Sequence, residues 1–234
     1  TNPSDVTQSV CVTRVSDSPL VVFFPTEKET HLGFLIQGPY RTTPSRDNVP
    51  KDVQWNQYLV SCTAELVIES LERLRRSKYL TANALNAFVV ESDKFEGQSQ
   101  AAMFRPIAQA IIKALRSQPL IPKHKTGYVP AACARLARAS NLRSLVNSDQ
   151  LTSICKSQEP LRWVVRDITR ERMPQLHTFL TNTLRVEEID AESLVRRMSE
   201  PFLKSQTDEW IEDLYEFLHD HPAVWHQPWF AEKP

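Results

Sequence analysis

With 234 residues, 41% of them apolar, and with five Trp and ten Phe, the chain has material for a buried core in one large domain or two small ones. Twenty-eight basic residues balance 28 acidic ones, so no net field steers the chain onto nucleic acid or an anionic membrane. Glycine occurs only at Gly33, Gly38, Gly97 and Gly127, too dispersed for a P-loop, a dinucleotide fingerprint or a kinase-type glycine loop.

Residues 1–10 are polar and read as a loose lead-in. Residues 10–15 alternate like a strand, and residues 20–24 and 32–37 are β-branched and aromatic runs. Together they predict a small sheet, with the polar residues 25–30 as a hairpin connector between the last two runs. From Val53 the period turns helical: Val53, Leu59, Cys62, Leu66, Val67, Leu71 and Leu74 fall near one face of a helix over residues 53–76, with Asp52 as its N-cap. A shorter helix starts at Thr81, a loop follows over 92–97, and a helix over 100–116 carries Met103, Phe104, Ile107, Ile111 and Leu115. Pro119 ends that helix, and Leu120-Ile121 with Tyr128-Val129 predict a short hairpin around a proline-rich turn.

The second half reads as mainly helical. Helices are predicted over 131–139, over 149–156 after Ser148, over 175–184 behind Pro174, over 191–203 after Asp190, and over 208–219 after Thr207. Trp163, Ile168, Trp210, Tyr215, Trp225 and Trp229 supply either an aromatic core or a partner surface. The predicted fold is α+β and mostly helical: a small N-terminal β-sheet packed on a long helix makes residues 1–118, and a helical subdomain that could serve as an interaction module makes residues 119–234.

Cys11, Cys62, Cys133 and Cys155 form no C-x-x-C pair, and no signal peptide or long apolar span is evident, so a reducing, cytoplasmic setting is expected. Cys62 and Cys133 fall on apolar helical faces and read as core. The chain begins at Thr1 without an initiator Met and reads as a piece of a longer protein. No G-x-S-x-G elbow and no cysteine beside an evident base suggests nucleophilic catalysis.

The segment that carries chemistry is Pro44-Ser45-Arg46-Asp47, held between an apolar run and the long helix. Arginine offers a permanently charged fork of donors suited to phosphate oxygens; the plain alternative is a loop arginine paired with Asp47 or Asp52. Lys28, flanked by Glu27 and Glu29, is a second candidate phosphate contact, although those neighbours favour a solvated side chain. His219, His221 and His226 with Asp220 have no regular ligand spacing across Pro222, so no metal site is assigned. The basic run Arg73-Leu74-Arg75-Arg76, offset by Glu65, Glu69 and Glu72, reads as a solvated face, as do the scattered Arg135, Arg138 and Arg143.

The order Phe34-Leu35-Ile36-Gln37-Gly38, Ser45-Arg46-Asp47, then a long helix resembles the middle domain of the ninety-kilodalton heat-shock chaperones. A more specific resemblance is to the sacsin-like and NO VEIN-like ATPases of the histidine-kinase type. It is carried by Phe23-Phe24-Pro25-Thr26, Thr30-His31-Leu32-Gly33-Phe34, Pro39-Tyr40-Arg41-Thr42-Thr43-Pro44-Ser45-Arg46-Asp47-Asn48-Val49-Pro50 and Trp55-Asn56, and more loosely by Gly127-Tyr128-Val129-Pro130 and Asp208-Glu209-Trp210-Ile211. The resemblance implies that Arg46 reaches the terminal phosphate of ATP held by another domain, with Ser45, Asp47 and Asn56 supporting the loop. The asparagine box, the Asp-x-Gly-x-Gly box and the glycine lid of such ATPases are missing here. No cofactor is therefore expected on this segment alone, and ATP and magnesium belong to an adjoining domain. That domain and a protein client are the expected partners, with no membrane, nucleic acid disfavoured and a homo-oligomer left open. The implied role is a transducer and interaction segment of a chaperone-type ATPase. The alternatives are an interaction module without a part in hydrolysis and a piece of a bacterial nucleic-acid-handling defence protein.

Overall fold

The structure is a computed structural model that describes residues 11–45, 47–97 and 99–227. The lead-in expected over 1–10 and Trp229 lie outside the described residues. The fold is α+β and mostly helical, with about 47% helix and 11% strand. The chain divides into two units, Thr1–Ala114 and Leu115–Pro234.

In the first unit β1 (Pro19–Val22) pairs antiparallel with β2 (Phe24–Glu29), reversing at Phe23, whose φ is 59°. The residues expected as a connector are thus a strand. They hide from a hydrophobicity reading because the inward side chains are Thr26 and Lys28, the Thr26 hydroxyl donating to the Leu20 carbonyl at 2.8 Å. The run over 32–37 adds only a parallel bridge between Gln37 and Val21, and residues 11–15 form no strand.

Helix α1 (Gln54–Arg76) begins behind Val53, which makes no side-chain cap, so Asp52 is not its N-cap. Its buried stripe is Asn56, Val60, Val67 and Leu71 at spacings of four, seven and four, while Leu66 points outward. The predicted face was rotated, because an asparagine rather than a leucine leads the inward stripe. Tyr40 and Thr63 share a 3.1 Å hydroxyl contact, and the Trp55 indole donates to the Pro39 carbonyl at 2.9 Å, so the segment bridged to β1 is also tied to α1. Helix α2 (Ala82–Asn86) is capped by Thr81. A 3-10 turn over Gln100–Phe104 touches both α1 and β2 and leads into α3 (Arg105–Ser117), whose Ile107, Ile111 and Leu115 are fully buried.

In the second unit β3 (Ile121–Pro122) and β4 (Tyr128–Val129) form the expected hairpin. The helix predicted over 131–139 is instead a 3-10 turn followed by strand β5 (Ala134–Ala137). This strand is the centre of a parallel three-stranded sheet. Its neighbours are β6 (Arg162–Trp163) and β7 (Glu187–Ile189), with α4 (Leu142–Leu145), α5 (Ser148–Ile154) and α6 (Pro174–Thr178) in the intervening chain. Alanine favours helix in isolation, but tertiary pairing on both edges overrides that preference.

Start signals were better guides. Asn147, one residue before the expected Ser148, caps α5 in a reciprocal capping box with Gln150, and α6 opens on Pro174. Asp190 caps α7 (Ala191–Arg197), but the helix expected to reach 203 breaks at Met198 and restarts as α8 (Glu200–Lys204), with Ser199 as cap and Pro201 in the first turn. Thr207 caps α9 (Asp208–His219), and α10 (Pro222–Trp225) follows. Trp163 donates to the Val146 carbonyl at 2.6 Å, and Trp210 to that of Leu145 at 2.7 Å while meeting Phe202 edge-on. These rings pack with Ile189, Leu194, Phe217 and Leu218 in one core, each fully buried large side chain contributing roughly 1.5–3 kcal/mol. Tyr215 is exposed.

Candidate functional site

In the first unit the chain between the sheet and α1 is a loop closed on itself. The Thr43 amide donates to the Asn48 carbonyl at 3.0 Å, and the Asn48 amide to the Thr43 hydroxyl at 3.2 Å. Asp47 accepts from the Thr43 hydroxyl at 2.5 Å. The Thr43 and Ser45 hydroxyls hold its carboxyl below the usual carboxylate range. Ser45 and Asp47 are exposed and brought together; Arg46, which lies between them in sequence, is outside the described residues.

Asn56 is 0% exposed. Its Oδ1 accepts from the Arg41 amide at 2.8 Å, and its Nδ2 donates to the carbonyls of Arg41 and Pro50, both at 2.9 Å. One amide in the first turn of α1 thus fastens the loop where it leaves the sheet and where it returns. A buried amide persists only when its donors and acceptor are met, and here the loop backbone meets them. The side chain is in turn the loop's anchor.

Lys28 is 8% exposed on the inward side of β2, not solvated as its glutamate neighbours suggested. Burial, and then the charge of Lys51, lower its ammonium pKa. Lys28 makes no ion pair among the described residues. Lys51, Asp52, Gln57 and Arg105 belong to the lining of a hollow of about 340 Å³ at the start of α1.

The second unit carries a larger opening of about 620 Å³ lined by Lys123, His124, Lys125, Arg143 and Arg162, with Asp149 as its one carboxylate. Sequence reasoning set Arg143 aside as scattered and did not single out Lys123-His124-Lys125. The signal was that basic triplet in a proline- and glycine-bounded turn. Elsewhere in this unit several arginines are matched: Arg135 and Arg197 share Glu187, Arg170 pairs with Glu188 at 2.6 Å, and Arg172 with Asp167 at 3.0 Å. His177 joins Glu188 at 2.8 Å. At the C-terminal helices the His221 Nδ1 donates to the Phe217 carbonyl at 2.8 Å and the ring stacks on Phe217, so this histidine serves a helix end.

No helix among the described residues is long and apolar enough to cross a membrane. Compared with known proteins, the chain matches no family model, no curated protein and no solved structure.

Proposed function

We propose that this chain is a transducer and interaction segment of a sacsin-like, chaperone-type ATPase of the cytoplasm, and that Arg46 completes the ATP site of an adjoining domain by meeting charge that develops on the γ-phosphate. The observation that carries this reading is the Asn56 anchor: three hydrogen bonds join both ends of the Arg46-bearing loop to the 23-residue helix α1. A loop so fastened cannot shift without moving the first turn of that helix, which gives a phosphate-dependent displacement a rigid lever. The buried Lys28, which makes no ion pair among the described residues and feels the charge of Lys51, supplies further positive potential in the same unit. The four cysteines are unpaired, in keeping with a reducing compartment.

The test uses the parent protein with its ATP-binding domain. Arg46→Ala is expected to lower the ATP turnover rate by a factor of about 10³ or more, the range for an arginine acting on a transferred phosphoryl group, with little change in ATP affinity. Asn56→Asp, which keeps the acceptor but loses the donor, lowers the rate less. An Arg46→Ala protein that hydrolyses ATP at the wild-type rate overturns the proposal.

A further inference from the structure

The opening in the second unit is built, not incidental. Two pieces of backbone are stitched together beside it: the His124 amide donates to the Trp163 carbonyl at 2.7 Å, the Val165 amide to the Pro122 carbonyl at 3.1 Å, and Lys123 bridges antiparallel to Val164. This seats the 123–127 turn beside β6 and thus beside Arg162. Within the turn Lys125 has φ 69° and Gly127 φ 98°. A Cβ at Gly127 would lie 2.9 Å from the Lys123 Cε, so the lysine stem runs across the glycine and is held there by its bareness. A non-glycine residue in the left-handed region costs about 1 kcal/mol, so the surrounding turn holds Lys125 there against its own preference.

Arg143 forms the floor. It is 9% exposed, its Nε donating to the Val164 carbonyl at 3.2 Å and its Nη2 to that of Ala137 at 3.4 Å. Those bonds fix the guanidinium plane, while Nη1 makes no hydrogen bond among the described residues. A guanidinium this buried ordinarily faces a carboxylate, yet Arg143, Arg162, Lys123 and Lys125 form no ion pair among the described residues. Asp167 offsets part of the cost of burying Arg143 but is itself bonded to Arg172. The charge is felt locally: burial first, then Arg143, Lys125 and Arg166, hold the His124 imidazole below the usual histidine range.

We propose that this opening binds a small anion bearing two or more phosphoryl groups, with Arg143 and Arg162 as forked donors and Lys123 and Lys125 as point charges at the rim. Four permanent cations against Asp149 leave three positive charges in the lining, which matches a di- or triphosphate. Trp163 in the lining is 3% exposed and spends its N–H on Val146, so its indole offers no platform for stacking a base. Recognition therefore rests on the phosphate chain, whether free or carried by a nucleotide. The chain as a whole carries no net charge, so it lacks the general positive field that draws in a nucleic acid.

Calorimetric titration of the 234-residue protein with sodium tripolyphosphate at low ionic strength tests this. Saturable one-site binding is expected. ATP should bind as well as tripolyphosphate, adenosine not at all, and the His124 ring should titrate at higher pH by NMR once the site is filled. Because Arg143→Ala removes a buried anchor and can cost the fold, the deciding variants are Lys125→Gln/Arg162→Gln, which leaves Arg143 in place, and Gly127→Ala, which alters no charge; each should weaken binding at least tenfold while the far-ultraviolet spectrum is unchanged. No binding at millimolar tripolyphosphate, unchanged binding in both variants, or a single-stranded RNA 20-mer that binds more tightly than tripolyphosphate overturns it. None of these outcomes depends on Arg46 or on ATP turnover.

Discussion

The loop of the first unit and the opening of the second both depend on polar groups withdrawn from water, but they satisfy them in opposite ways. Asn56 meets its donors and acceptor within the fold, so its three partners leave nothing for a ligand. Around Arg143 the fold supplies carbonyls to orient the guanidinium, and among the described residues no carboxylate forms an ion pair with it. The same contrast runs across the three-stranded sheet of the second unit. At the β7 edge Glu187 is shared by Arg135 and Arg197, whereas Arg162 on the opposite edge strand makes no ion pair among the described residues. A spent polar group is scaffold, and unspent buried charge is capacity for a ligand.

Removing the scaffold should cost most. Asn56→Ala abolishes three part-buried hydrogen bonds and leaves the Arg41 amide without its side-chain partner, and at about 1 kcal/mol for each bond it should lower the unfolding free energy by about 3 kcal/mol in a denaturant titration. A loss below about 1 kcal/mol would show that water replaces the anchor.

Glu187→Gln should cost less, about 1 kcal/mol after solvent screening, since this carboxylate is partly exposed. Its pKa is lowered in the folded state, first by the hydrogen bond from Arg197 and then by the charges of Arg197 and Arg135. A depressed carboxylate contributes stability above its unfolded pKa and loses it as pH falls through the folded value. The gap between wild type and variant should therefore be present at pH 7, shrink below about pH 4.5 and close at lower pH. A gap that stays constant with pH would contradict the pairing.

The smallest expected effect sharpens the contrast most. Arg162→Gln removes a charge that is in no ion pair among the described residues, so stability should change by less than about 0.5 kcal/mol while tripolyphosphate affinity falls. A loss comparable with that of Glu187→Gln would mean that Arg162 is also scaffold.

Several features were legible in the chain because they are local. Caps at Thr81, Asp190 and Thr207, and Pro174 in a first turn, act over three or four residues and can be read from them alone. The 120–129 hairpin was visible in its turn chemistry. The candidate loop was visible as a motif, but Asn56 entered as one of its supports without its anchoring role, since the partners at Arg41 and Pro50 are carbonyls and an amide that any sequence possesses. Strand β2 was missed because its buried face is threonine and lysine, and β5 because alanine advertises helix.

By itself the amino-acid sequence determined the class of the fold, most helix starts, the exclusion of a self-contained nucleotide loop, and the position of the arginine-bearing segment. Only the tertiary structure decided which polar groups are spent and which remain open. Lys28 is buried and Asn56 is an anchor because of strands and loops that reach them from elsewhere in the chain. Lys123, Lys125, Arg143 and Arg162 become one site because a parallel sheet and a hairpin bring together residues separated by up to about forty positions. Hydrophobic period and capping are properties of neighbours in sequence, whereas desolvation and charge compensation are properties of neighbours in space.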